Sequence, residues 1–469
     1  MLAVVMRVEW RNLRRERWFW AIVAAFAMAI AFAALESGQL VRAESARAAT
    51  IETQATARVA SLTAEVEAIA AGGAVRAQAD PTSPLSVGRD LLPRPAQLPH
   101  APLAPLSVGQ RDVLPQTVML TTRGRIAHAS EGETQSAAQR AAGPFDLSFV
   151  LVFLLPLVII ATTFDLLSRE RERGTLALVL SQPLSLRTFV LGKAAVRFVV
   201  LASLTLGFAL SGALLGGAGL AREGAAGALA LSAMLLVGYT LFWFALALLV
   251  NAWGRSSAAN ALALVGVWLA LAIVVPGLAG IAVESTHPAP SRVELVNRTR
   301  EAAREASARA TELEGDHGKP AAETSSRSAL LAQAELERQL SPVLADFQER
   351  LSAQQALVDK LRFASPALLV HEGLADVSGS GVTRHQHFSK QVDAYQRELQ
   401  AFFHERVEAG RSLAAEDYAA LPRFQYVEPA PGALVARVLG AVAAMLALTL
   451  CLSALALAGL RAHLSRGLR

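Results

Sequence analysis

The residues that could carry out chemistry are sparse in this sequence, and their spacing matches no common catalytic motif. Gly192-Lys193-Ala194 comes nearest to a phosphate-binding loop, but Arg187 stands where that motif needs its first glycine. His404-Glu405 lacks the second histidine of a zinc-protease helix, and Gly379-Ser380-Gly381 does not form a nucleophile elbow. The sequence therefore predicts a non-catalytic chain that binds no cofactor of its own.

Four histidines lie between residues 371 and 404, namely His371, His385, His387 and His404. Imidazoles are good metal ligands, and a histidine pair two residues apart could share one face of a strand. On a helix, however, an i, i+2 pair diverges. We expect surface or hydrogen-bonding histidines here and no metal site.

The most informative segment reads Ser168-Arg-Glu-Arg-Glu-Arg-Gly-Thr-Leu176 and continues to Pro183. Gly174 is predicted to end a charged helix with a left-handed cap, and Thr175 to N-cap a short apolar helix from Leu176 to Leu180. Pro183 ends that helix, and Ser185 can cap the next one. An exposed apolar helix of this length favours docking into a groove on a soluble partner.

Simple anchoring by positive charge is the alternative interpretation of this segment. It accounts for Arg169, Arg171 and Arg173, but not for the interleaved Glu170 and Glu172. We therefore favour partner docking.

The elements that must position this segment are membrane helices. The chain has 469 residues, of which 53% are apolar and 18% charged, and its mean hydropathy is +0.38. Long uncharged apolar runs predict transmembrane helices. The six predicted spans are residues 18–35, 147–164, 198–220, 225–250, 258–283 and 438–460. Cys451, the single cysteine, lies in the last run, which excludes a disulfide framework.

The basic residues predict the orientation. The short segments 1–17, 165–197, 251–257 and 461–469 carry roughly twice the Lys and Arg density of the two long loops, which predicts that both termini are cytoplasmic. The net positive charge of the chain is thus attributed to its orientation in a membrane and not to nucleic-acid binding.

The first apolar run also has the features of a signal peptide, with Ala31-Phe32-Ala33 as a possible cleavage site. The run continues past that site and five more spans follow. We favour an uncleaved anchor.

The N-terminal segment 1–17 is predicted to be an amphipathic helix on the inner membrane surface. Leu2, Met6, Trp10 and Leu13 share one face, and arginines occupy the others. A plain charged flank is the alternative.

The two long loops, residues 36–146 and 284–431, are predicted to form one extracytoplasmic domain. Apolar stripes over 51–69, 336–361 and 388–402 have helical spacing and are expected to pack on each other, while a ligand groove between them is the alternative. Residues 81–115 hold eight prolines and two copies of a Pro-Leu-Ser-Val-Gly motif, and they predict an extended loop. The predicted fold class is an all-α polytopic membrane protein with six transmembrane helices and a mainly helical extracytoplasmic domain.

The run Ser168–Leu176, followed by Leu180–Ser185 and Gly192-Lys193, resembles the loop of ABC-2 type ABC transporter permeases. The six-span layout with a preceding surface helix is similar too. The long loops, above all Pro105–Pro115 and Arg384–Phe388, resemble a subfamily whose loop domain has no assigned function.

The resemblance implies that residues 175–182 form a coupling helix that seats on a separate ATP-binding subunit. It implies a complex of two permeases, identical or related, with two ATPases in a bacterial inner membrane. The implied ATPase-coupling residues are Glu170, Arg171, Glu172, Gly174, Thr175, Leu176, Gln182 and Pro183.

The sequence thus predicts the permease subunit of an ATP-driven transporter, in the exporter direction. The alternative is a membrane-anchored scaffold or sensor that relays an extracytoplasmic signal to a cytoplasmic partner. An ion-coupled carrier is disfavoured because the six predicted spans hold essentially no charged residue.

Overall fold

The computed structural model confirms a predominantly helical chain with six helices long and apolar enough to cross a membrane among its described residues. It describes residues 2–466 except for 75–79, 110, 112–113, 127–144, 177, 179–180, 183, 255, 289–296, 299, 302–303, 306–307, 309–334, 336–337, 340–341, 343–344, 347–348 and 351. Six candidate spans agree with the six apolar runs of the sequence.

The described α-helices are α1 (Leu2–Arg15), α2 (Arg17–Ala70), α3 (Pro84–Ser86), α4 (Leu147–Phe149), α5 (Leu155–Thr163), α6 (Ser168–Glu172), α7 (Leu186–Leu215), α8 (Ala225–Trp253), α9 (Ser257–Leu269), α10 (Val275–Thr286), α11 (Pro366–Val377), α12 (Val382–Glu408), α13 (Ala415–Ala419) and α14 (Pro431–Arg466). Turns of π-helix cover Val87–Leu91, Val150–Leu154 and Ala270–Val274, and 3₁₀ turns cover Ala104–Leu106 and Arg362–Ala364. The strands are β1 (Arg94–Gln97), β2 (Thr117–Thr121) and β3 (Gly124–Ile126).

Helix α8 lies at the centre of the helical bundle. It buries Tyr239 and Trp243 completely or nearly so, and it packs along α14, α7, α5 and α11. The candidate span formed by α9 and α10 is the least buried of the six, with 11% of its most apolar stretch buried, against 61% for α8 and 67% for the second span, Leu147–Glu172. Among the described residues, α8 and the second span thus form the core of the bundle, whereas the α9–α10 span leaves most of its apolar surface uncovered.

Proline explains the π-helical turn in the second span. Pro156 has no backbone N–H, and its ring crowds the carbonyl four residues earlier, which is that of Val152. The Tyr239 hydroxyl donates a hydrogen bond to this carbonyl at 2.7 Å, and the Trp268 indole donates to the adjacent Phe153 carbonyl at 3.2 Å. A freed carbonyl in an apolar bundle needs such a donor, so the break is compensated by neighbouring helices.

A second core lies outside the bundle. The apolar stripe on the distal half of α2, including Leu62 and Val66, packs with the stripe of α12, including Phe388 and Leu399. This confirms the predicted packing of these two stripes, whereas most of the third stripe lies outside the described residues. The structure also places an antiparallel sheet of order β1-β2-β3 in this core. Of these strands, β1 lies within 81–115, for which the sequence predicts an extended loop with a pair of edge strands as an alternative, whereas β2 and β3 follow that segment.

Two helices extend beyond the apolar runs of the predicted spans. The sequence predicts that residues 36–71 continue the first span as a helix, and α2 confirms this by continuing to Ala70 without a break. Helix α7 runs from Leu186 to Leu215 and so begins before the predicted span 198–220. The charges of Lys193 and Arg197 suggested that the third span starts after them. The helix includes both, because their charged groups have partners in the folded protein.

Candidate functional site

The charged segment after the second span folds as predicted at its main bend. Helix α6 ends at Glu172, and Gly174 follows with φ +70°, the left-handed conformation that suits glycine. The predicted cap of the next helix is also confirmed, because the Ser185 hydroxyl accepts the Thr188 backbone N–H at 3.1 Å. Gly174 and Ser185 therefore mark the two ends of the segment that connects α6 to α7.

The interleaved glutamates and arginines bind other parts of the same chain. Glu170 lies 3.4 Å from the Nζ of Lys193 on α7, and its carboxylate accepts a hydrogen bond from the Thr175 hydroxyl. Arg171 donates to the Gly254 carbonyl at 2.9 Å, and Glu172 accepts the Ser257 backbone N–H at 2.6 Å. These side chains tie α6 to α7 and to the α8–α9 connection.

The acidic residues of the predicted docking segment thus have partners within the chain. Glu170 accepts a hydrogen bond from the Thr175 hydroxyl, and Glu172 accepts one from the Ser257 hydroxyl at 2.8 Å. Their role in docking a partner stays a prediction.

A buried ionic network lies directly beside this segment. Arg197 is 3% exposed, and its Nε lies 2.7 Å from the Glu9 carboxylate of α1. Its Nη1 also lies 3.7 Å from Asp165 and donates to the Thr162 carbonyl. Asp165 in turn accepts from Arg169 at 2.8 Å.

Arg169 extends the network to the start of α2. Its Nη1 lies 2.9 Å from Glu16, the residue between α1 and α2. Ions this deeply buried are stable only when each has a partner, because the desolvation cost of an isolated charge is several kcal/mol. The network therefore couples the positions of α1, α2, α6 and α7.

The expectation that the spans hold essentially no charge is corrected for α7. Lys193, 5% exposed, and Arg197 both lie in this candidate span, near its first turns. Their partners are on elements close to α6 and not along the middle of a membrane path. Both side chains form ion pairs that connect α7 to other elements at one end of the bundle.

Two asparagines hold the turn that precedes α6. Asn251 donates to the Thr163 carbonyl at 2.9 Å and accepts the Leu167 backbone N–H at 3.3 Å. Asn260 donates to the Phe164 carbonyl at 3.2 Å. The turn therefore keeps its backbone hydrogen bonds inside a buried environment.

The tip of the segment is the part that faces outwards. Leu176 is half-buried against a small core that includes Leu167 and Leu186, whereas Leu178 is 70% exposed. Ser181 and Gln182 are exposed as well. Leu176 and Leu178 are helical, but the rest of the predicted Leu176–Leu180 helix, and Pro183, lie outside the described residues.

Helix α1 forms as predicted. Its buried residues are Glu9 and Leu13, whereas Trp10 and Leu2 are 42% and 47% exposed. At Gly192 of α7, a Cβ would lie 2.9 Å from Val5 and 3.2 Å from Leu2, so the glycine allows the two helices to approach closely. This close approach and the Glu9–Arg197 ion pair together position α1 on α7.

The sequence pattern identifies this segment but not the residues elsewhere in the chain that bond to it and fix its position. Those residues are Glu9, Glu16, Lys193, Arg197, Asn251, Ser257 and Asn260. The sequence indicates such residues only as single polar side chains within or beside apolar runs. Burying a side chain of this kind is energetically unfavourable unless it has a hydrogen-bonding or ionic partner. Their pairing partners lie far away along the chain, so spacing alone could not identify the pairs.

The predicted histidine cluster is dispersed over several environments. His387 bonds the Val427 carbonyl at 3.2 Å, and the His404 ring lies 3.3 Å from Glu408 on the same helix face. His371 lies on α11 and is half-buried. Within the described residues, no group of three or more histidine, cysteine or acidic side chains could hold a metal ion.

The family described as ABC-2 family transporter protein matches residues 3–458 of this chain. The matched range extends from α1 into α14 and includes every residue of the site described above. None of the curated proteins compared with the chain matches it.

Proposed function

Because this chain belongs to the ABC-2 transporter family, we propose that it is the permease subunit of an ATP-driven exporter. ATP is bound and hydrolysed on a separate cytoplasmic ATPase subunit, and this chain is non-catalytic and carries no cofactor of its own. The protein resides in a bacterial cytoplasmic membrane with both termini inside. A second permease copy, or a related permease, completes the complex.

One observation supports the coupling role above all others. An exposed tip that includes Leu178 is attached to a segment that bonds three other parts of the bundle, namely Glu16 before α2, Lys193 on α7 and the α8–α9 connection. A tip of this kind offers apolar surface to a partner, and these bonds prevent the segment from moving independently. A displacement of the tip is therefore delivered to α1, α7 and the α8–α9 connection together.

The ionic network gives this transmission a physical basis. Arg169 and Arg197 connect the segment to Glu16 and Glu9, so a motion of α6 must either carry α1 with it or break buried ion pairs. Breaking a buried pair costs about 3–5 kcal/mol. Movement as one unit is the less costly response.

The direct test is a change at the exposed tip. Leu178→Asp places a charge on the proposed docking surface, and we expect it to weaken binding of the ATPase subunit by about 2 kcal/mol, which is roughly thirtyfold. The complex is purified from the native membrane with a tagged permease. The ATPase subunit is identified by ATP photolabelling and quantified.

The matched control is Val427→Asp, since Val427 is 66% exposed and lies near the start of α14, at the other end of the bundle. It should leave the amount of bound ATPase unchanged. Undiminished ATPase binding in Leu178→Asp would contradict the coupling role, and co-purification of a kinase in place of an ATPase would support the scaffold alternative.

A further inference from the structure

Arg111 is an ionic group that the proposed coupling function does not use. It is 4% exposed, and no described residue accepts a hydrogen bond from its Nε, Nη1 or Nη2. Burial lowers the pKa of Arg111 to about 10, which still leaves the guanidinium charged at neutral pH. A buried cation whose five N–H donors lack acceptors is costly and calls for a partner.

The position of Arg111 is fixed by its backbone. Its N–H donates to the Val108 carbonyl at 3.2 Å, and the Val108 N–H donates to the Asp146 carboxylate at 2.8 Å. Gly109 in the same turn has φ +53° and packs against Ser380. The guanidinium is therefore presented by a defined turn between α4 and the start of α12.

Further basic groups surround this turn. Arg384, 9% exposed, donates to the Pro99 carbonyl at 2.9 Å, and Arg222 donates to the His100 carbonyl at 3.1 Å. The His100 ring lies 3.8 Å from Glu44. Burial, together with the three neighbouring arginines, lowers the pKa of His100 to about 4, so this ring is neutral at pH 7.

None of the described carboxylates near this cluster forms a hydrogen bond with the Arg111 guanidinium. Glu428 is 59% exposed and pairs with Arg384 on the outer side of the cluster. Asp146 accepts the Val108 backbone N–H, and Glu44 acts on Arg111 only through its charge. Within the described part of the chain, the buried guanidinium is thus left without a hydrogen-bonded counter-ion.

The sequence repeat supplies an internal comparison. Arg89 occupies the position in the first Pro-Leu-Ser-Val-Gly copy that corresponds to Arg111 in the second. Arg89 is only half-buried and lies near Asp90, which pairs with Arg123 at 3.3 Å. The same motif thus carries a half-buried arginine in one copy and a fully enclosed one in the other, although the Nε of Arg89 also lacks a hydrogen-bond partner among the described residues.

We propose that Arg111, with Arg222 and Arg384 around it, forms a binding site for a phosphate-type oxyanion at the end of the bundle opposite to α6. The guanidinium presents a planar fork of donors that matches two oxygens of a phosphate. The anion supplies the acceptors that the buried guanidinium lacks. It comes either from a free phosphate or from the headgroup of an anionic phospholipid.

The first experiment uses the full-length chain in detergent, with inorganic phosphate as the probe. Thermal unfolding is followed while phosphate replaces chloride at constant ionic strength. A ligand that binds the folded state raises the midpoint with concentration. We expect this rise in the wild type and in Arg89→Met, and we expect Arg111→Met to bind phosphate at least about tenfold more weakly.

The second experiment uses nanodiscs that contain phosphatidylglycerol. Lipid retained by the extracted protein is counted by intact-protein mass spectrometry. Retention that depends on Arg111 but not on Arg89, without a response to inorganic phosphate, assigns the site to a lipid headgroup. A phosphate response without lipid retention assigns it to a free anion.

Two results would overturn the proposal. One is a wild-type protein that neither responds to phosphate nor retains the anionic lipid, which decides the matter even if the variants fail to fold. The other is a lower unfolding midpoint of Arg111→Met than of the wild type in phosphate-free buffer, measured on protein that mass spectrometry shows to be free of bound phospholipid. Loss of an uncompensated buried charge should leave the midpoint unchanged or raise it, whereas loss of an internal hydrogen-bonding partner should lower it.

Discussion

At the scale of single residues, Arg197 is the side chain on which the ionic network depends. It contacts Glu9, Asp165 and the Thr162 carbonyl, and so connects α1, α7 and the end of α5. Arginine suits this position because its fork of donors reaches several acceptors at once. The network is polar but enclosed, so each member depends on the others.

Replacement of Arg197 by methionine should therefore be strongly destabilising. Glu9 would lose its close cationic partner in a buried site, and we expect a loss of about 3–5 kcal/mol in the free energy of unfolding. Thermal unfolding in detergent gives the measurement. Arg11→Met, at an exposed position of α1, is the control and should change little. An Arg197 variant as stable as this control would contradict the role of the network.

A second residue-scale feature is the charge cluster that joins α11 to α14. Arg437 lies 2.7 Å from Asp359, 3.2 Å from Glu372 and 2.6 Å from Asp376, and Arg362 lies nearby. Burial, against the partly compensating arginines, raises the pKa of Glu372 from 4.5 to about 7. In the folded protein, the Glu372 carboxyl therefore stays protonated at pH values at which the same group is ionised in the unfolded chain.

The sign of the resulting pH dependence follows from proton binding. Between about pH 4.5 and 7 the folded state binds more protons at Glu372 than the unfolded state does, so stability falls as pH rises through this window and levels off above it. The unfolding midpoint measured from pH 4.5 to 8 should show this fall, and Glu372→Gln should flatten it. Glu405→Gln, at an exposed site on α12, should keep the wild-type slope. Identical slopes in the wild type and Glu372→Gln would exclude this assignment.

At the scale of elements, the direction of the chain between α6 and the exposed tip around Leu178 depends on one glycine. Gly174 adopts φ +70° with open space around it, so its backbone conformation, and not its size, is what the chain requires. An L-residue costs about 1 kcal/mol in this region, and proline cannot adopt it because its ring fixes φ near −65°. The bend between α6 and the exposed tip is therefore specific to glycine.

Gly174→Pro should redirect the tip without affecting membrane insertion. We expect permease-dependent stimulation of ATP hydrolysis in the purified complex to fall on the order of tenfold, with unchanged permease levels in the membrane. Gly224 provides a close control, because it has φ +80°, also with open space, at the other end of the bundle. If Gly224→Pro and Gly174→Pro reduce stimulation equally, the effect is not specific to the coupling segment.

At the scale of the whole molecule, the two ends of the bundle differ in their structural features. One end has the ionic network, α1 and the exposed Leu178 tip, and the other has the second core and the basic cluster around Arg111. The positive-inside distribution predicts that the Leu178 end is cytoplasmic. Force from an ATPase and contact with an extracytoplasmic partner would then act at opposite ends of the same helices.

This topology is measured with single cysteines in a Cys451→Ala background. In the proposed orientation, Leu178→Cys should react with a membrane-impermeant maleimide only after the membrane is permeabilised, because the exposed tip then lies on the cytoplasmic side. Val427→Cys should react before permeabilisation. The reverse pattern would invert the orientation and remove the basis for ATPase docking.

The sequence by itself determined the helical membrane class, the six apolar spans, the bend at Gly174 and the cap at Ser185. These features depend on apolar run length and on local backbone preferences, both of which are written in neighbouring residues. The same holds for the apolar stripes of α2 and α12, whose periodicity predicted their buried faces.

Only the tertiary structure decided which charges are paired and which remain exposed. Glu9 and Arg197 are 188 positions apart, so no local pattern could join them or show that α7 begins before Lys193. For the same reason the sequence could not distinguish Arg89 from Arg111, which share a motif but differ in burial. The energy of a buried charge depends on partners that long-range packing brings to it, and short-range spacing carries no record of them.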